Sequence, residues 1–209
     1  MKMNVKQLCL CGLFAALMAV CAWISIPIFS IPVTLQLLAI MVCAAMLPPM
    51  YATLAVVVYV LLGLVGLPVF AGFTGGVGKL LGITGGYIVG FIPAAYITSL
   101  IIHTCRFGAE KSGWVRFVRY LLAMAAGVVV CYAIGTVWFM MINQQTVNTY
   151  NEQLATMTDL QVEQAGGRKS AYTVGKVLGI CVMPYLPFDA VKIALAAVLS
   201  MRLEKAVKM

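Results

Sequence analysis

The sequence predicts an all-α integral membrane protein with six transmembrane helices, on three observations. Of the 209 residues, 63% are hydrophobic and only 10% are charged, whereas soluble domains carry roughly 45–50% apolar and about 25% charged residues. The apolar residues form long runs, and a spanning helix needs about 20 such residues. Basic residues collect between alternate runs, as in multi-pass membrane proteins. Residues 1–209 are therefore interpreted as one membrane domain embedded in a lipid bilayer.

Apolar runs bounded by proline, glycine or charged residues define the helices in order. The predicted spans are at about 8–28, 33–47, 50–67, 86–104, 117–142 and 174–202. The first follows Lys2 and Lys6, as a signal peptide would, but its apolar run to Phe29 is too long for one. The second is short, which indicates a tilted helix or partial cover by a re-entrant segment. Pro48 and Pro49 separate it from the third.

The last span is interrupted by Pro184 and Pro187. Proline is favoured at a helix start, so we expect the membrane helix proper to begin near Pro187, with 171–186 leading into it. The stretch before it, 143–173, is rich in Gln, Asn and Thr and predicts a hydrophilic external loop. Within that loop we expect a short helix at about 148–163, followed by a mobile Gly-Gly turn.

The distribution of lysine and arginine predicts that both termini are cytoplasmic. Nine basic residues then lie inside: Lys2, Lys6, Arg106, Lys111, Arg116, Arg119, Arg202, Lys205 and Lys208. Four lie outside: Lys79, Arg168, Lys169 and Lys176. The positive-inside rule accepts this arrangement and rejects its mirror image. The net charge of +8 is therefore a topology signal, and no nucleic-acid partner is expected.

Asp189 and Lys192 are the two charged residues predicted to lie inside a membrane segment. A charge in hydrocarbon costs about 2.5 kcal/mol or more, so such residues usually pair, face a cavity and serve function. Their i, i+3 spacing puts both on one helical face. The pair, near the outer end of the sixth helix, could bind a small polar molecule. A purely structural ion pair is the alternative.

The connection between the third and fourth spans, residues 66–87, is dense in glycine. Glycine lets backbone fold tightly and approach a ligand closely, so this loop is a candidate lid, with a simple connector as the alternative. A phosphate-binding loop is excluded, because Phe73 and Leu80 stand where that motif needs glycine and Ser or Thr.

Small residues recur at four-residue spacing, which lets helix backbones approach closely in a bilayer. One stripe predicts internal packing: Gly82, Gly86, Gly90 and Ala94. The pairs Gly12/Ala16 and Ala15/Ala19 lie in the first span. The Ala15/Ala19 pair could pack internally or against another protein, and spacing alone does not choose.

Catalytic and metal-binding constellations are not recognisable in the sequence. His103 has no companion ligand, and the seven cysteines are scattered through apolar segments. Neither a metal nor a cofactor is expected, and the protein is not expected to be an enzyme. Two alternatives use Asp189 differently: an intramembrane enzyme with Asp189 as acid/base, and a proton-coupled secondary transporter with Asp189 as proton carrier.

Three segments resemble the biotin-binding subunits of energy-coupling-factor (ECF) importers, the BioY family. They are Ile31-Pro32-Val33-Thr34-Leu35-Gln36, Tyr59 through Phe91, and Pro184 through Lys192. The strongest matches are Gly-Leu-Pro-Val-Phe-Ala-Gly at 66–72 and Thr-Gly-Gly-Tyr at 84–87. With similar helix spacing, the resemblance covers most of the chain outside 143–173.

This resemblance implies a six-helix S-component of a bacterial plasma membrane, serving vitamin uptake. Biotin would bind near the external face, beneath the first loop and the third-to-fourth loop. Asp189 and Lys192 match the family's acid and lysine and would bind polar groups of biotin. Further matches lie at motif positions near that pocket: Thr34, Gln36, Gly85, Gly86 and Tyr87. Another vitamin on the same scaffold is the alternative substrate.

The resemblance also implies partners. The Ala15-x-x-x-Ala19 stripe looks like the family's docking surface for a transmembrane coupling subunit, which is itself driven by two ATPases. ATP would then be used by those partner subunits, with biotin as the transported substrate.

Overall fold

The computed structural model describes residues 5–26, 32–104, 113–155, 166 and 169–207. Eight helices and one two-stranded antiparallel hairpin occupy the described part of the chain. In chain order they are α1 (Val5–Trp23), β1 (Ser25–Ile26), β2 (Val33–Thr34), α2 (Gln36–Met46), α3 (Pro49–Leu64), α4 (Val77–Leu81), α5 (Gly85–Thr104), α6 (Gly113–Leu154), α7 (Val174–Cys181) and α8 (Leu186–Val207). The motif residue Ile31, the 105–112 connection and most of 156–168 lie outside the described residues.

Three described helices, α1, α5 and α6, are long and apolar enough to cross a membrane. Helices α7 and α8 form a fourth such unit if they count as one span, bent by 53° at their junction. Helices α2 and α3 are apolar but shorter, at 11 and 16 residues. Each of the six predicted apolar segments therefore contains a helix, the last contains two, and the short second helix is confirmed.

The short helix α2 lies at the centre of the described bundle. It contacts α1, α3, α5 and α8, and nine of its eleven residues are buried. A helix that is apolar all round is stable when protein or lipid surrounds it, and around α2 the surroundings are protein. Because α2 is enclosed by four helices, its own length is not matched to the membrane.

Helix α5 packs on α6 through the predicted stripe of small residues. A side chain at Gly86 would overlap Trp138 of α6, and a Cβ atom at Gly90 would lie 3.2 Å from the Cys131 carbonyl oxygen. Ala94 is fully buried. The prediction of internal packing is confirmed for these three residues. Gly82 instead precedes α5, and its carbonyl accepts a hydrogen bond from Trp138 Nε1 at 3.1 Å.

Helix α6 is much longer than the predicted 117–142 span. It runs unbroken over 42 residues to Leu154, so the expected separate helix near 148 is wrong. Residues 143–154 contain neither glycine nor proline. Their polar side chains are unsuited to the hydrocarbon of a membrane, but polar side chains do not end a helix. Thr146 and Thr149 donate to carbonyls one turn back, at 2.8 and 3.1 Å. The rest of the expected helix and Gly167 lie outside the described residues.

The two small-residue pairs of α1 face opposite ways. Ala15 and Ala19 are 2% and 7% exposed and belong to the hydrophobic core, whereas Gly12 and Ala16 lie on the exposed face. The Ala15/Ala19 stripe therefore packs inside the bundle in this structure, and the surface that α1 offers to a partner is the opposite one.

Candidate functional site

Asp189 and Lys192 form an ion pair in the first turns of α8. Lys192 Nζ donates to Asp189 Oδ1 at 2.7 Å. The two residues are only 7% and 8% exposed, so the charges are buried together. Helix α8 begins at Leu186, just after the bend, and its positive N-terminal end stabilises the carboxylate of Asp189.

Tyr132 of α6 is a third member of this group. Its hydroxyl donates a hydrogen bond to the second carboxylate oxygen, Oδ2 of Asp189. The Tyr132 ring also meets Tyr87 edge-on, with centroids 6.3 Å apart. This contact could not be predicted from the sequence, because a single tyrosine in an apolar helix is ordinarily a packing residue.

A cavity of about 100 Å³ opens beside this group. Asp189, Lys192 and Tyr132 line one side, and the remaining wall is largely aromatic or aliphatic: Pro32, Val33, Thr34, Leu37, Tyr87, Phe91, Val128, Cys131, Cys181 and Tyr185. An apolar chamber with a few convergent polar groups is the usual form of a small-molecule site. Each oxygen of the carboxylate has spare acceptor capacity, and the Lys192 ammonium has two further protons.

A second cavity, of about 90 Å³, lies beneath the glycine-rich loop. It is lined by Pro32, Thr34, Gln36, Phe70, Ala71, Lys79, Thr84, Tyr87, Ile88 and Phe91. Four of these residues also line the first cavity, namely Pro32, Thr34, Tyr87 and Phe91. The two cavities are therefore neighbouring parts of one cleft, with the ion pair at one end and Lys79 at the other.

Some of the predicted site residues line the two cavities, and the others pack behind the cavity walls. Thr34 and Tyr87 line both cavities. Gln36 lines the second, and its side-chain amide donates to the Tyr59 hydroxyl at 2.9 Å. Gly85 packs on the Leu80 backbone, and Gly86 packs on Trp138. These two glycines lie behind the cleft, and they bring α5 close enough for Tyr87 to reach it.

The first half of the glycine-rich loop is anchored to the bundle. The Tyr59 hydroxyl donates to the Val69 carbonyl at 3.0 Å, and Phe70 is buried against Gly63. Gly76, whose φ of 91° suits glycine, donates its N–H to the Gly63 carbonyl at 2.7 Å. This half is a fixed cover, and the segment after it is α4.

Trp23, at the end of α1, holds the outer edge of this loop. Its indole N–H donates to the Pro68 carbonyl at 2.7 Å. Its ring stacks on Phe73, with centroids 5.1 Å apart. Phe73 has a φ of 56°, which is uncommon for a residue with a side chain. The β1–β2 hairpin, pairing Ser25 with Thr34 and Ile26 with Val33, closes the neighbouring side.

The family model described as the BioY family matches residues 1–209. The chain belongs to the BioY family. Biotin transporter BioY of Thermotoga maritima is 36% identical to this BioY-family chain over 96% of the chain and 97% of that protein. Probable biotin transporter BioY of Pyrococcus horikoshii is 34% identical, over 97% and 98% of the two chains.

A solved structure has the same fold as this BioY-family protein. It is the crystal structure, at 2.1 Å, of the S-component for biotin from an ECF-type ABC transporter. The TM-score is 0.72, and the match covers 96% of this chain and 92% of that one. At 24% sequence identity, the likeness establishes the architecture of the bundle.

The described residues contain no group of three or more histidine, cysteine or acidic side chains that could hold a metal ion. The charged side chains that line the cleft are Asp189, Lys192 and Lys79.

Proposed function

We propose that this protein is the substrate-binding subunit of a biotin uptake transporter. The observation that carries the proposal is the buried Asp189–Lys192 pair in the wall of an otherwise apolar cavity. Such a protein binds and releases its cargo and catalyses no reaction itself. Membership of the BioY family and the names of its relatives support the same substrate.

The cavity suits the ring system of biotin. The ureido group offers two N–H donors and one carbonyl acceptor, and it is uncharged. Asp189 can accept from an N–H, while Lys192 can donate to the ureido carbonyl. The apolar thiophane ring suits the aromatic walls formed by Tyr87 and Phe91.

We place the cleft at the external face of a bacterial plasma membrane, with six spans and both termini cytoplasmic. The bias of basic residues supports this orientation. At the start of α6 and the end of α8, Arg116 Nη1 lies 3.9 Å from Glu204 Oε2, and the Tyr120 hydroxyl donates to the same oxygen at 3.1 Å. This charged cluster marks the proposed cytoplasmic end.

Import from this site is driven by partner subunits, in our proposal a membrane coupling subunit with two ATPases. The S-component likeness supports this kind of assembly. On the described residues of α1, the surface open to such a partner carries Gly12 and Ala16 rather than Ala15 and Ala19.

A calorimetric titration of the purified protein with biotin, riboflavin and thiamin tests the function. Saturable binding of biotin, with neither of the other vitamins competing, is the expected result. Tight binding of riboflavin or thiamin in place of biotin would assign the scaffold to another vitamin.

Asp189→Asn should weaken biotin binding about tenfold or more, because hydrogen bonds to a charged group contribute roughly 1.5–3 kcal/mol each. Glu204→Gln is the matched control, since it makes the same chemical change at the far end of α8. Affinity of Asp189→Asn within twofold of wild type would remove the pair from the binding site.

A further inference from the structure

Lys79 is the second cationic group of the cleft. It lies on α4, half-buried, and lines the cavity beneath the glycine-rich loop with Gln36 and Thr84. Among the residues that the structure describes, none forms a hydrogen bond or an ion pair with its ammonium group. Its charge is therefore uncompensated within that part of the chain.

The two ends of the cleft differ in electrostatic character. At one end the charge of Lys192 is neutralised by Asp189 at 2.7 Å, so this end suits a neutral group that both donates and accepts hydrogen bonds. At the other end Lys79 carries a net positive charge beside two uncharged polar residues, Gln36 and Thr84. Water is partly excluded there, which strengthens the attraction of an anion.

Resting on the proposed function, we propose that Lys79 binds the carboxylate of the transported molecule while Asp189 and Lys192 bind its neutral head. The cargo class is then a small molecule with an uncharged polar ring at one end and a carboxylate at the other. Biotin has this form, because its ureido ring and its valerate carboxylate are separated by an apolar ring and chain.

The shared walls of the two cavities support this division. Tyr87 and Phe91 line both, so an apolar connecting chain would pass over their rings. Because α4 belongs to the loop that covers the cleft, a contact between Lys79 and the ligand carboxylate would also hold that loop over the bound molecule.

The test compares biotin with biotinamide, in which the carboxylate is replaced by a neutral carboxamide. Affinities of both are measured by calorimetry for the wild type, Lys79→Met and Lys79→Arg. Lys176→Met is the matched control, because Lys176 is an exposed lysine stacked on Tyr172, with its Nζ 4.5 Å from the ring centroid, outside the cleft. Thermal unfolding of each variant checks that the fold is intact.

The wild type and Lys176→Met are expected to prefer biotin over biotinamide at least tenfold. Lys79→Met should lose this preference by weakening biotin alone, with biotinamide affinity within twofold of wild type, and Lys79→Arg should retain it. Equal weakening of both ligands, or no change in either, overturns the role of Lys79 while leaving biotin binding standing. Wild-type protein that binds neither ligand overturns the proposed function and this inference with it.

Discussion

Asp189 and Lys192 are tolerated in the bundle because the attraction between them offsets part of the cost of burying each charge. An isolated buried charge is expensive, and removal of one partner from a buried pair commonly costs 3–5 kcal/mol, as a rough guide. The hydroxyl of Tyr132 adds a third interaction by donating to the free carboxylate oxygen. The orientation of Asp189 is thus set from two helices, α6 and α8, before any ligand binds.

Tyr132→Phe should weaken biotin binding by a factor of about ten while the protein stays folded, because it removes one hydrogen bond to a charged group. Tyr120→Phe is the matched control. It removes a tyrosine hydroxyl that donates to a carboxylate, Glu204, at the other end of the bundle. Calorimetric affinities of the two variants are compared, and equal affinities would show that the hydrogen bond from Tyr132 to Asp189 does not contribute to biotin binding.

Among the larger elements, the glycine-rich loop has two unequal halves. Residues 68–76 are held by hydrogen bonds to Trp23, Tyr59 and Gly63. Helix α4 has five residues, with Val77 and Leu81 exposed and Leu80 as its buried anchor. The two cavities, about 100 and 90 Å³, are smaller than the ~300 Å³ typical of ligand sites, so we expect the α4 half of the loop to move when a ligand enters.

Hydrogen exchange should therefore slow across residues 77–84 when biotin binds, with little change in 68–76. The anchored half is already hydrogen-bonded to the bundle, whereas the α4 half gains its contacts on closing over the ligand. Mass spectrometry of the detergent-solubilised protein with and without biotin measures both segments. Identical exchange of 77–84 in the two states would reduce α4 to a connector.

The two faces of α1 predict opposite effects of a tryptophan. Ala19→Trp should lower thermal stability, since overpacking a buried site costs typically about 1–3 kcal/mol. Ala16→Trp, on the exposed face, should leave folding and biotin binding intact and abolish energised uptake if this face docks a partner. Uptake by cells that express Ala16→Trp at wild-type rates would exclude that face from docking.

For the whole molecule, the extended part of α6 supports the return of the chain toward the cleft. Asn151 exchanges hydrogen bonds with the Lys169 backbone, at 2.8 and 3.0 Å. Asn143 Oδ1 accepts from the Tyr172 N–H at 2.9 Å. Residues 169–172 thus run beside α6 before α7, which supplies Cys181 to the first cavity.

Replacement of residues 146–168 by a short Gly/Ser linker should change biotin affinity by less than about 1 kcal/mol, the scale of an ordinary surface substitution. Asn143 and its bond to Tyr172 remain in this variant, so α7 keeps one of its supports. A parallel Asn143→Ala variant shows what that support contributes. A tenfold loss of affinity in the linker variant would make the segment part of the binding site.

The sequence by itself determined the class of the molecule. Long apolar runs forced helices into a bilayer, since backbone polar groups in lipid must be satisfied within the segment. The small residues Gly86, Gly90 and Ala94 determined where α5 meets α6, because close backbone approach needs small side chains. The sequence also determined the ion pair, because Asp189 and Lys192 are three residues apart in one apolar helix and their contact is local.

Only the tertiary structure decided which residues far apart in the sequence come into contact. Tyr132 reaches Asp189 across 57 positions, and Lys79 shares a cleft with residues of other helices; no local pattern encodes either meeting. The structure also turned the Ala15/Ala19 pair inward, because the packing of α1 against α2 and α3 selects its buried face. Helix α6 also continues past residue 142. The polar residues there include no glycine or proline, so the helical hydrogen bonds are kept.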